Sequence, residues 1–435
     1  MDIRETMRRW WLQFILCSCV ACNGSLTECW NTPVEAGVLG DSSLAADSGL
    51  TCLAEPEKPG PSPLPPSPPG FPPPPYFEFN GTIAPNPLIS RGKPAFSSTG
   101  QASAVNNGNY RWDGGTWTGW QGAWVAIQLG AGPSRILFQW SAGANYNYTD
   151  TANVPSAYRI EVSSNSTNGA DGNWVEAVTV TGNAVRTRTH LVQDFEGMSW
   201  VRMHILSGGA NLDEIDVYDA SLGSFDSWFF LGDSITAHAF DRSKAHGSFA
   251  ELVHERWPNF FPVVVNGGVG TEKTGNGLNR LDSALAEHRA IQFWAVCFGS
   301  NDVGDGNNGW GLDTFRQNLL RIVERIQAAG RIPVIPQIPF IWDANQSEDQ
   351  REQEGCRLRR PDLPKFNKVI DEIIEQTGAL PGPDLYTYFS MHCEQFPRND
   401  GLHPSAEGYQ AMNRLWAEAM ATIYETYSSP PHNTD

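Results

Sequence analysis

The chain reads as an α/β protein: a three-layer α/β/α domain with a parallel sheet, preceded by an all-β sandwich of jelly-roll type. Two observations predict this. From Ser227 onward, apolar runs ("WFFLGDS", "FFPVVVNGG", "IQFWAVCFGS", "RIPVIPQI") alternate with amphipathic helical patterns ("HGSFAELVHERW", "LDTFRQNLLRIVERIQAAG", "FNKVIDEIIEQTG", "SAEGYQAMNRLWAEAMATIY"), which implies strands buried on both faces by helices. Between about Pro85 and Ala220 the text is instead short alternating segments rich in Thr, Val, Trp and Gly, such as "WVAIQLG", "RILFQWS", "YRIEVSS" and "WVRMHIL", with the period of two that half-buried strands show.

At 435 residues the chain exceeds what one hydrophobic core usually serves. Residues 1–22 are expected to be a secretory signal: Arg4, Arg8 and Arg9 precede "WWLQFILCSCVAC", an apolar stretch too short to span a bilayer. Cys19 and Cys22 follow small residues as in a bacterial lipoprotein box, so a lipid anchor and plain cleavage both stand open. Residues 23–78 form a linker. Its proline run between Glu55 and Pro75 can neither pair as a strand nor continue a helix, and is expected to extend as a tether. The sandwich is placed at 79–222, the α/β domain at 223–428 and a disordered tail at 429–435. The protein is therefore expected to be secreted or attached to the cell envelope.

A formal net charge of −18 without any basic cluster argues against nucleic acid or an anionic membrane surface as partner, and for a neutral substrate. Of the eight cysteines, Cys17, Cys19 and Cys22 lie in the targeting region, Cys29 could pair with Cys52 and Cys356 with Cys393, and Cys297 in "FWAVCFG" reads as a buried free thiol.

Ligands of open parallel sheets bind beyond the carboxyl ends of the strands. Four such ends carry polar or glycine-rich text: "GDSIT", "NGGVGTEKTGNG", "GSNDVGDG" and "NDGLHPSAEGY". A serine nucleophile needs a base, and the base an orienting group. Ser234 can supply the first; His403 and Asp400, three apart in "DGLH", the others. Ser234 could alternatively be only a helix cap. Glycine-flanked N–H groups and an Asn amide can hold a tetrahedral oxyanion, and Gly270 and Asn301 stand where such donors are wanted. His238 and His246 have no carboxylate at useful spacing and read as rim or surface residues that could contact substrate. Asp302 and Asp305 suggest a metal loop, but without further ligands no metal is assigned.

In their order and over about 200 residues, these four stretches resemble the blocks of the SGNH (GDSL-type) hydrolase superfamily. The resemblance implies a flavodoxin-like α/β/α fold, Ser234 as nucleophile, His403 as base oriented by Asp400, and an oxyanion hole of the Ser234 N–H, a second-block N–H and the Asn301 side chain. The second block departs from the family: its second pair position is Thr271 rather than Gly, so the donor could be Gly270 or Thr271. No cofactor is implied.

From Arg91 to about Ala220 the sandwich resembles discoidin and related galactose-binding-like domains, carried by "RWDGGTWTGWQGAWVAIQLG", "YRIEVSSN", "WVRMHIL" and "LDEIDVYDA". That likeness implies glycan-binding loops and a structural calcium as family tendencies. Trp117 and Trp124 match framework positions; Tyr110 and Trp120 are candidate sugar platforms, "NYNYTD" at 145–150 another sugar-contacting loop, and Trp310 a wall of the hydrolase pocket. Trp228 and Trp294 read as core. The expected activity is deacetylation of an acetylated polysaccharide or oligosaccharide, as in secreted carbohydrate acetylesterases. A lipase, lysophospholipase or thioesterase, or a non-catalytic glycan-binding surface protein, are the alternatives.

Overall fold

The computed structural model describes residues 83–110, 116–142, 147–223, 226–241, 247–303 and 311–425. The signal and tether segments, Cys29, Cys52, Trp112, His246, Asp305, Trp310 and the 429–435 tail lie outside them.

Among the described residues, nine strands form the amino-terminal part: β1 (Ala95–Ser97), β2 (Trp117–Gly119), β3 (Trp124–Gln128), β4 (Ile136–Ala142), β5 (Ala157–Ser163), β6 (Val175–Thr181), β7 (Thr187–Val192), β8 (Trp200–Ser207) and β9 (Ala210–Asp219). They pair antiparallel in two sheets, β1-β3-β8-β5-β6 and β2-β9-β4-β7. Between the sheets Trp117, Ile127, Phe138, Trp140, Tyr158, Ile160, Met203 and Ile215 form one buried cluster. Strand β4 is buried along almost its whole length rather than on alternate residues. The reason is a second cover: Leu137 packs into the core of the following domain, and Gln139 Nε2 donates to the Val264 carbonyl there at 2.8 Å.

That following domain is built on five parallel strands, β10 (Ser227–Gly232), β11 (Val263–Gly268), β12 (Phe293–Cys297), β13 (Ile332–Ile335) and β14 (Leu380–Pro381), ordered β11-β10-β12-β13-β14. Numbered within the domain this is 2-1-3-4-5, the flavodoxin-like order, whose switch point lies where the chain reverses direction across the sheet, between β10 and β12. The helices are α1 (Ser234–Ala239), α2 (Phe249–Arg256), α3 (Thr274–Glu287), α4 (Ser300–Val303), α5 (Leu312–Ala328), α6 (Glu348–Glu354), α7 (Leu363–Thr377), α8 (Leu385–Met391), α9 (Ala406–Ala419) and α10 (Ala421–Glu425). Helix α5 shows why they pack as they do: Phe315, Leu319, Ile322, Val323 and Ile326 recur at helical spacing and all are buried. It lies between α3 and α7, while α2 packs on α9.

Two glycines let α1 sit tightly on the strand ends. A Cβ on Gly232 would collide with the Thr236 hydroxyl, and one on Gly268 with the Ala237 backbone. Cys356 and Cys393 form a disulfide with Cα atoms 5.4 Å apart, and Cys297 carries a free thiol whose pKa burial pushes up.

Candidate active site

Ser234 is the first residue of α1, directly after the β10 strand end. The cap of that helix is not Ser234 but Asp233, whose Oδ1 accepts from the Ile235 N–H at 2.9 Å. The serine hydroxyl is thereby left for another partner, and it lies 2.8 Å from His403 Nε2. His403 stands in the loop before α9. Asp400 Oδ1 accepts the backbone N–H groups of Leu402 and His403 at 3.0 and 2.9 Å, an Asx-type turn, and both carboxylate oxygens lie 3.1 Å from His403 Nδ1. With the carboxylate accepting Nδ1–H, Nε2 is the acceptor and the Ser234 hydroxyl donates to it. Burial pushes the Asp400 carboxyl up, but the N–H and ring of His403 and the Leu402 N–H outweigh it and hold the group below its usual range.

Three strand ends offer N–H groups of the kind an oxyanion would need. As first residue of its helix, Ser234 has an N–H without an intrahelical acceptor. Asn301, in α4 after β12, donates one Nδ2 hydrogen to the Glu272 carbonyl at 2.9 Å, which fixes the amide and leaves its second hydrogen to face elsewhere. The second-block turn closes through Glu272 N–H to the Val269 carbonyl at 3.4 Å. Thr271 occupies its third position with φ at +65°, the place type II turns reserve for glycine. The left-handed backbone accounts for the glycine that the family pattern leads one to expect there. The Gly270 N–H is already engaged, donating to Asn147 Oδ1 at 2.9 Å, whereas the Thr271 N–H has no acceptor among the described residues. Thr271→Gly should relieve a strain of about 1 kcal/mol and raise the melting temperature while kcat is kept; a fall in both would show that the threonine side chain matters.

Asp302 is buried and accepts from the Thr274 hydroxyl at 2.5 Å and its N–H at 3.2 Å, so it ties the third block to the start of α3. Asp233 is buried too, with its Oδ2 unpartnered. Burial, reinforced by the charges of Asp302 and Glu272, pushes its pKa from 3.8 up to about 7. The folded protein therefore holds this proton where the unfolded chain has released it, and stability is lost as pH rises from about 4 through about 7. Asp233→Asn keeps the cap acceptor and removes the charge. Thermal melts should show the variant gaining little on the parent at pH 4.5 and more at pH 8; a gain independent of pH would contradict the burial argument.

Tyr110, a candidate sugar platform, is only 5% exposed and donates its hydroxyl to Asp216 at 2.9 Å; it is a core residue of the sandwich. Trp120, at 59% exposed, remains open to solvent. Asn147 and Tyr148, in the other proposed sugar loop, turn instead onto the α/β domain. Trp310 lies outside the described residues. His238, read as a rim residue, is half-buried beside the base: its ring lies nearly parallel to that of His403, centroids 5.6 Å apart, and 6.0 Å from Tyr409. Its place four residues after Ser234 on α1 was the signal, since i and i+4 share a helix face.

A flavodoxin-like sheet with a serine, a histidine and a carboxylate gathered at its switch point points to a carboxylic ester hydrolase as the class. Comparison with known proteins agrees. Residues 230–411 match the model of the GDSL-like lipase/acylhydrolase family. An arylesterase of Vibrio mimicus is 25% identical over 190 residues, covering 41% of this chain and 79% of that protein. Among solved structures, a variant of an acetyl xylan esterase from Geobacillus stearothermophilus is 20% identical with a TM-score of 0.37, covering 48% of this chain and 99% of that one. A lipase/acylhydrolase from Enterococcus faecalis is 23% identical with a TM-score of 0.37, covering 46% and 99%. The matched segment is a GDSL-type acylhydrolase domain, and the protein is a carboxylic ester hydrolase.

Proposed function

We propose that the protein is an exported serine esterase that removes O-acetyl groups from polysaccharides. The observation that carries the reading is the line of contacts from Ser234 Oγ to His403 Nε2 and from His403 Nδ1 to Asp400. In the reaction, His403 Nε2 takes the Ser234 proton as Oγ attacks the acetyl carbonyl carbon. The negative oxygen is held by the Ser234 N–H, the second-block N–H and Asn301 Nδ2. Collapse breaks the ester bond, the sugar oxygen leaves with the proton from His403, and an acetyl-enzyme remains. Water, deprotonated by His403, then attacks it; acetate departs and Ser234 regains its proton.

The acetyl preference is supported by the polar text "GDGNNGWG" close after Asn301. The carbohydrate part rests on the appended sandwich, with its galactose-binding-like text and exposed Trp120, and on the expected export signal. Acetate release from acetylated xylan, measured beside turnover of long-chain p-nitrophenyl esters, tests the reading. Efficient acetate release with poor long-chain turnover is expected; the reverse would make the enzyme a lipase or thioesterase.

A further inference from the structure

The acylhydrolase domain does not make its oxyanion turn alone. Asn147 and Tyr148 follow β4 of the sandwich and lie against the end of β11. Asn147 Oδ1 accepts the Gly270 N–H at 2.9 Å, and the Tyr148 N–H donates to the Gly268 carbonyl at 3.1 Å. Tyr148 is buried at 4% exposure, edge-on to Phe229 of β10, with its hydroxyl donating to Glu287 at 2.8 Å. Its ring also faces the Arg280 guanidinium at 5.7 Å. Arg280 in turn bonds the Gly267 carbonyl at 2.7 Å and Glu272 Oε2 at 2.8 Å, and the Glu272 carbonyl is the group that holds Asn301. Both ends of the turn are thus fastened.

A threonine in left-handed backbone costs on the order of 1–3 kcal/mol and persists only where its surroundings over-determine it. Here part of the over-determination comes from the other domain, through Asn147 and Tyr148. We propose that Asn147 is a positioning residue for the acylhydrolase: by occupying the Gly270 N–H it fixes the 269–272 turn and makes the Thr271 N–H the second-block oxyanion donor. The sandwich is on this view part of the catalytic apparatus as well as any glycan-binding module. The proposal rests on the reading of Ser234 as nucleophile.

The test uses the full chain with p-nitrophenyl acetate as substrate. Asn147→Ala should lower kcat roughly 10- to 100-fold, with KM within about twofold and the melting temperature little changed. Affinity for a small alkyl boronic acid, which forms a tetrahedral anionic adduct on the serine, should weaken in parallel with kcat. Asn147→Ser, polar but too short to reach Gly270, must show the same loss; it replaces the alanine variant if that folds poorly. Unchanged kcat and boronate affinity overturn the proposal. So does a rise in kcat, which would mean that Asn147 competes with the oxyanion for the Gly270 N–H. So does a loss of kcat that tracks a loss of folded protein without weaker boronate binding by the folded fraction. Ser234→Ala assayed alongside keeps the two readings apart: full activity there sinks the site assignment itself, whereas an inactive Ser234→Ala beside an unimpaired Asn147→Ala sinks the positioning role alone.

Discussion

Ser234→Ala should reduce kcat for p-nitrophenyl acetate by about 10⁵- to 10⁶-fold, the loss seen when a serine nucleophile is removed from a complete triad, and leave the melting temperature where it was. The second half of that expectation follows from Asp233. Because Asp233 supplies the cap of α1, the serine hydroxyl does no structural work there. Its partner is His403 Nε2. A serine acting as the cap would give the opposite pair of results, intact turnover and about 1 kcal/mol of lost stability. Circular-dichroism melts and a steady-state assay on the same preparation separate the two. Residual hydrolysis above the rate in water is expected, since the backbone donors and Asn301 survive the substitution.

What was legible in the sequence was what local chemistry writes. The parallel sheet showed in "WFFLG", "FFPVVVNGG" and "IQFWAVC" because a strand covered on both faces must be apolar throughout, and helix α5 showed in its spacing of buried residues. The short β14, two residues ending in Pro381, left no such trace. Ser234, His403, Asp400 and Asn301 were legible because each stands in a short polar motif at a strand or helix end. What the sequence hid depends on contacts across long separations. Tyr110 looked like a loop aromatic because its partner Asp216 is 106 positions away. Asn147 looked like part of a sugar loop because its partner Gly270 is 123 positions away and in another domain. The proposed choice of Thr271 over Gly270 as donor rests on a backbone angle and an acceptor, neither of which a residue type encodes.

Asp400→Asn should lower kcat by about 10³- to 10⁴-fold, and it should be at least as damaging as Asp400→Ala. Asparagine can keep the two backbone bonds that Asp400 Oδ1 accepts from Leu402 and His403. Having kept them, it must point its Nδ2 hydrogens at His403 Nδ1. Nδ1 then becomes an acceptor, the ring proton moves to Nε2, and His403 can no longer take the proton from Ser234. Flipping the amide would cure the tautomer but set two N–H donors against the Leu402 and His403 N–H groups. In the alanine variant the half-exposed site admits water, which can accept Nδ1–H and preserve the working tautomer, while the turn loses both bonds to Oδ1. Alanine should therefore melt earlier than asparagine yet turn over at least as fast. The reverse order of activity, with asparagine the faster, would mean that Asp400 serves His403 through the shape of the turn rather than through the proton on its ring.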